Sequence, residues 1–94
     1  VEKHQDKGKD VILVVDDEPE ILRSLRGMLE DEGFAVLTEP SAEAGIRSLK
    51  QNNVNLAIVD VFLPGMSGLE FLKTIGPEFP ELPTIVMTGQ GSYE

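Results

Sequence analysis

From Asp10 onward, short apolar runs alternate with stretches of helical periodicity. Val11-Ile12-Leu13-Val14-Val15 is continuous, apolar and mostly β-branched. That pattern predicts a strand covered on both faces, as in a parallel sheet. The run stops at Asp16-Asp17-Glu18, and Pro19 stands where a first helical turn tolerates proline. Ile21, Leu22, Leu25, Met28 and Leu29 then fall on a single helical stripe, and Gly33 is a suitable stop. Residues 34–38 read as a second strand. Ser41 can cap a second helix with Glu43 in its first turn. Its thin apolar face is Ile46 and Leu49 with Ala42 and Ala44, and Asn52-Asn53 ends it.

A third run, residues 56–59, stops at Asp60 and leads into a breaker-rich loop, residues 61–68. Ser67 and Glu70 have capping-box spacing, so a third helix starts there, with Leu69, Leu72 and Ile75, joined by Phe71, as its buried side. Gly76-Pro77 closes that helix. After Pro77, Pro80 and Pro83, residues 85–87 form a fourth run that ends at Thr88-Gly89. The order strand-helix-strand-helix-strand-helix-strand predicts an α/β domain with right-handed crossovers and a parallel sheet. Residues 1–10 have one apolar residue and read as a flexible tail or linker that holds the sole histidine, His4. A chain that opens on Val rather than Met reads as a processed or excised piece.

Composition narrows the classes of function. Ninety-four residues allow one core, and 17 acidic against 8 basic residues leave a formal charge of −9. So acidic a surface argues against phosphate-backbone or anionic-lipid binding as a main activity, so no direct nucleic-acid or membrane binding is expected. Without cysteine there is no disulfide, thiol nucleophile or thiolate metal site. The longest apolar runs are about five residues against the ~20 that span a bilayer. No secretory segment opens the chain, and a cytoplasmic location is expected.

In an open parallel sheet, ligands sit beyond the carboxyl ends of the strands, near the point where strand order reverses. Three of the four runs end there in polar groups: Asp16-Asp17, Asp60 and Thr88. Any one of these alone reads as a turn residue or helix cap. Together, on neighbouring strands, the carboxylates converge, and like charges raise one another's pKa. Either one group stays protonated or a hard divalent cation such as Mg²⁺ sits among them. A carboxylate beside Mg²⁺ and a hydroxyl is equipped for phosphoryl chemistry.

The segments VILVVDDEPE, AIVDVFLPGMSGLEFL and PTIVMTGQGS resemble the receiver domain of two-component response regulators. The resemblance runs from about Val11 to Ser92. It implies a doubly wound, flavodoxin-like parallel sheet, of which this sequence supplies strand order 2-1-3-4. It also implies roles residue by residue. Asp60 is the phosphoacceptor that attacks a phosphohistidine of a histidine kinase or phosphotransfer protein. Asp17 and Asp60 ligate Mg²⁺ with the main-chain carbonyl of Phe62, and Asp16 holds metal-bound water. Thr88 bonds a phosphoryl oxygen and switches on its arrival. Pro64 and Gly68 shape the loop, and Gln90 lies near the pocket mouth. Thr-Gly-Gln-Gly resembles receivers joined to transcriptional output domains.

The family pattern continues with a helix, a fifth strand ending in lysine, and a further helix, whereas this sequence stops at Glu94. Lys9, Lys50 and Lys73 do not take that lysine's position, and Tyr93 is not the family's switch aromatic. The expected domain therefore spans residues 11–94 without that last portion. Its fourth strand is an open edge, to be covered by a second chain, by exchanged segments or by aggregation. The rival reading is a receiver-fold interaction or dimerisation module that does not accept phosphate. An aspartate-nucleophile phosphatase of the haloacid-dehalogenase type needs a second acid two residues after the nucleophile, where Phe62 stands.

Overall fold

A computed structural model describes residues 8–88 of the chain. The readings of His4, Gly89, Gln90 and Tyr93 lie outside the described residues. Four strands, β1 (Val11–Val15), β2 (Ala35–Glu39), β3 (Leu56–Asp60) and β4 (Thr84–Met87), alternate with α1 (Pro19–Asp31), α2 (Ala42–Gln51) and α3 (Gly68–Ile75). All pairings are parallel, as the pattern of elements predicts, and the sheet order is β2-β1-β3-β4, as the resemblance implies.

The order of the strands dictates where the helices go. Moving from β1 to β2 runs one way across the sheet; moving from β2 over β1 to β3, and on to β4, runs the other way. With every crossover right-handed, the reversal puts α1 on one face and α2 and α3 on the other. Two cores result. Leu13, Val15, Ala57 and Val59 pack with Ala42, Leu49, Phe71 and Ile75 on the α2–α3 face. Ile12, Val14 and Val36 pack with Leu22, Leu25 and Leu29 on the α1 face. β1 lies between both layers, and all five of its residues are buried.

The local chemistry explains the ends of the elements. Gly33 takes φ +98°, a conformation that glycine adopts without strain. The N–H of Phe34 donates to the Leu29 carbonyl at 3.1 Å, so this residue belongs to the end of α1 and β2 begins at Ala35, one residue later than its apolar pattern predicts. Ser41 Oγ accepts from the Ala44 N–H at 3.1 Å and caps α2. At the bottom of β3, Asn55 Oδ1 accepts from the Val11 N–H while the Asn55 N–H donates to the Val11 carbonyl, both at 2.8 Å.

Three residues expected in the core stand outside it. Ile21 and Met28 are 38% and 57% exposed, because α1 presents only the arc of Leu22, Leu25 and Leu29 to the sheet. Leu69 is 56% exposed, because α3 turns Phe71 and Ile75 inward, leaving Leu69 on the outer side of its first turn.

Gly27 lies inside α1 on its exposed side, and a Cβ built there meets nothing within 4 Å. Gly27→Ala therefore removes backbone entropy from the unfolded chain without a clash. It should stabilise the domain by about 0.5–1 kcal/mol. Thermal unfolding should show the midpoint rising by roughly 2–8 °C; an unchanged or lower midpoint contradicts this packing of α1.

Candidate metal and phosphoacceptor site

β1 and β3 are neighbours at the centre of the sheet, and they end side by side at the reversal of strand order. Asp16 is the first residue beyond β1, Asp17 follows it, and Asp60 is the last residue of β3. One carboxylate oxygen from each of the three lies within 4.8 Å of the others. The three acids expected to converge do so. Asp16 is buried, Asp60 half-buried and Asp17 exposed.

Two of the carboxylates are held by their own loops. Asp16 Oδ1 accepts the Glu18 N–H at 2.9 Å, and Asp60 Oδ1 accepts the Phe62 N–H at 3.0 Å. Each bond fixes one oxygen and leaves the second to other partners. Neither acid of the Asp16-Asp17 pair serves as a helix cap: Glu18 occupies the N-cap of α1 and makes no side-chain cap bond. Burial pushes the Asp16 carboxyl above its ordinary range. The Glu18 N–H opposes this, while the charges of Asp60, Asp17 and Glu18 add to the rise.

The β3–α3 loop is built to keep Asp60 where it is. Ser67 and Glu70 form the predicted capping box, with Ser67 Oγ accepting the Glu70 N–H at 3.2 Å and Glu70 Oε1 accepting the Ser67 N–H at 3.1 Å. Gly68 then comes back under the end of β3, its N–H donating to the Val61 carbonyl at 3.2 Å. A Cβ on Gly68 would lie 2.6 Å from the Asp60 carbonyl oxygen and 2.7 Å from the Val61 Cα. Any side chain there must displace the backbone that carries Asp60.

Thr88 follows β4 directly, and Asp60 pairs in register with Met87, so Thr88 stands one residue beyond the rung next to Asp60. The Val61 N–H donates to the Met87 carbonyl at 2.9 Å and ties the two strand ends together. The Phe62 side chain is 55% exposed beside the acids. Sequence reasoning missed Glu39 and Ser48, which bond each other at 3.1 Å near this end of β2. The available signal was a serine on the apolar arc of α2 and an acid at the end of β2.

A cation fits this donor set. Three carboxylates offer hard oxygen ligands, and burial with the neighbouring acids disfavours the charged form of Asp16, a penalty that a cation would offset.

Residues 12–94 match the response regulator receiver domain. The chain belongs to that family. It is 39% identical over 85 residues to the nitrogen assimilation regulatory protein NtrX of Azorhizobium caulinodans, covering 88% of this chain and 19% of NtrX. It is 35% identical over 78 residues to the heme response regulator HssR of Staphylococcus aureus, covering 83% of this chain and 34% of HssR. The chain thus spans about a fifth to a third of the length of these relatives. Among solved structures, the response regulator TrrA of Thermotoga maritima, in complex with Mg²⁺ and BeF, superposes with a TM-score of 0.83 at 34% identity, covering 90% of this chain and 74% of that one. A CheY-like receiver domain protein of Methanospirillum hungatei does so with a TM-score of 0.85 at 35% identity, covering 90% and 68%.

Receiver domains signal rather than act as classical enzymes, and they work with histidine kinases or phosphotransfer proteins. They bind Mg²⁺ at an acidic pocket, and the Asp cluster of this chain could hold such an ion. No helix among the described residues is long and apolar enough to cross a membrane.

The raised Asp16 pKa contributes to the pH dependence of the metal-free protein. Between the ordinary Asp pKa and the raised one, the unfolded chain has lost this proton while the folded protein still holds it. Stability therefore falls as pH rises through the window between the two values, and it levels off above the raised value. Asp16→Asn should remove that part of the fall and leave the metal-free protein more stable at neutral pH. Mg²⁺ at ten times its dissociation constant should add about 1.4 kcal/mol to the wild type. Thermal unfolding of both proteins against pH, with and without Mg²⁺, tests both; a metal-free wild type that loses no stability relative to Asp16→Asn across this window contradicts the burial argument.

Proposed function

We propose that this chain is the phosphoacceptor switch of a two-component response regulator, with Asp60 taking a phosphoryl group from a phosphohistidine of a histidine kinase or phosphotransfer protein. The observation that carries the reading is the meeting of Asp16, Asp17 and Asp60, with oxygens within 4.8 Å, at the reversal point of the sheet.

On this reading, Asp16, Asp17, Asp60 and the main-chain carbonyl of Phe62 hold Mg²⁺, Asp16 through bound water. When bound, Mg²⁺ neutralises charge on the acids and on the phosphoryl group in flight. The free Asp60 oxygen attacks phosphorus, the bond from phosphorus to the donor imidazole breaks, and the imidazole leaves with the bonding electron pair. The Phe62 N–H, 3.0 Å from Asp60 Oδ1, holds the attacking carboxylate in one orientation. Thr88 Oγ1 donates to a phosphoryl oxygen, and the change in its position reports phosphorylation to partners. The same site releases the phosphoryl group to water, so the signal decays by itself. The Mg²⁺–BeF complex of the 34% identical TrrA supports the metal assignment. NtrX, a nitrogen assimilation regulatory protein, and HssR, a heme response regulator, support a place in a longer regulatory protein.

The test is incubation of the protein with acetyl phosphate and Mg²⁺, followed by intact mass. One phosphoryl group should be gained, none without Mg²⁺ and none in Asp60→Asn. Labelling that survives in folded Asp60→Asn places the acceptor elsewhere and removes the reading.

One feature favours a second reading, a receiver-fold module that pairs through β4 with another copy or exchanges segments with it. Among the described residues β4 pairs only with β3, and Ile85, level with Ile58 on the α1 face, is 51% exposed. An open apolar edge is a template for pairing. Sedimentation should then show dimers that increase with protein concentration; a strict monomer at high concentration eliminates this reading.

A further inference from the structure

Among the described residues, β2 hydrogen-bonds to one strand, β1, and two polar side chains on the helices hold it from other directions. From α1, Arg26 Nη2 donates to the Val36 carbonyl at 3.0 Å. From α2, Ser48 Oγ donates to Glu39 Oε2 at 3.1 Å. Ser48 is only 6% exposed, and Glu39 is half-buried at the last position of β2. A hydroxyl and a carboxylate removed from water in this way each cost desolvation, which their mutual bond offsets.

Neither residue belongs to the three-acid cluster. Their link to it runs through the main chain. The Glu39 carbonyl accepts the N–H of Asp16 at 3.1 Å, the last rung between β1 and β2. A strand paired on one side frays at its end unless something else holds it. If the end of β2 drifts, the buried Asp16 loses the partner of its N–H, and its carboxylate moves with the backbone.

We propose that the Ser48–Glu39 hydrogen bond is a positioning device for the cation site, fixing the end of β2 against α2 and, through the Glu39 carbonyl, the place of the Asp16 carboxylate. The proposal rests on the reading that Asp16 helps to hold Mg²⁺. Glu39 and Ser48 are thus positioning residues, and a metal site loosens when its supports shift by about 0.5 Å.

Mg²⁺ titration by calorimetry, with amide exchange of Asp16 followed by NMR, tests this in Ser48→Ala, Glu39→Ala, Glu39→Gln and Asp16→Asn. Ser48→Ala and Glu39→Ala should each raise the Mg²⁺ dissociation constant about tenfold. Each should also speed exchange of the Asp16 amide, and the double variant should be no worse than either alone. Glu39→Gln keeps an acceptor for Ser48 and should bind Mg²⁺ nearly as the wild type does. A merely structural role would lower thermal stability without moving the dissociation constant. Equal weakening by Glu39→Gln and Glu39→Ala, with Ser48→Ala unaffected, means that only charge matters and overturns the proposal. So does wild-type affinity in both Ser48→Ala and Glu39→Ala while Asp16→Asn is weakened. If Asp16→Asn itself binds Mg²⁺ normally, the reading of Asp16 fails and the proposal falls with it. Glu39 is partly exposed, so Glu39→Ala keeps the test open if Ser48→Ala does not fold.

Discussion

The constraint on which this molecule depends is the crowding of like charge at the ends of two adjacent parallel strands. β1 and β3 run side by side in the same direction, so whatever follows them is forced together. Here both end in acid. In bulk water three carboxylates would separate; on this scaffold they cannot, because the strands beneath them are locked by hydrophobic burial on both faces of the sheet. The burial energy of the core thus maintains an arrangement of like charges that is electrostatically unfavourable on its own.

The rest of the architecture serves that arrangement. Right-handed crossovers with a reversal of strand order leave the ends of β1 and β3 uncovered by a crossover helix. The close approach of Gly68 to the Asp60–Val61 peptide lets the following loop return beneath the strand without pushing it. The capping box at Ser67 and Glu70 makes that return rigid, since two otherwise unpaired groups of α3 are satisfied as the loop closes. Asp60 is therefore oriented from below by Gly68 and from its own loop by the Phe62 N–H.

How much of this was legible in the sequence differs from element to element, for physical reasons. The four strands could be read because parallel strands buried on both faces leave continuous apolar runs, and the acids stood out because those runs end abruptly. The capping box and the Gly33 stop were legible because their chemistry is local. Periodicity placed Ile21, Met28 and Leu69 on apolar stripes but could not say how wide the buried arc is. That width depends on how many strands a helix covers, a property of the assembled layers. The start of β2 moved by one residue because the Phe34 N–H is claimed by the end of α1. The Ser48–Glu39 bond left only two isolated polar residues as a signal, because its partners lie nine positions apart on different elements and meet only after the sheet is packed.

The division of roles among the strand ends follows from position in the sheet. β1 is buried along its whole length, so the residue after it inherits that burial, and a charge there has the most to gain from a counter-ion. β3 also has a strand on each side, but its last residue is half-buried, which leaves Asp60 both held and reachable by an incoming group. β2 lies at the sheet's side, where an acid could turn to solvent; its terminal Glu39 is instead turned to Ser48, and its carbonyl serves Asp16. β4 is followed by Thr88, a neutral residue one position beyond the rung next to Asp60, so no fourth negative charge stands there. The three clustered acids thus stand on the central strands, where the scaffold resists repulsion best, and the outer strands contribute a neutral threonine and the Ser48-bonded Glu39.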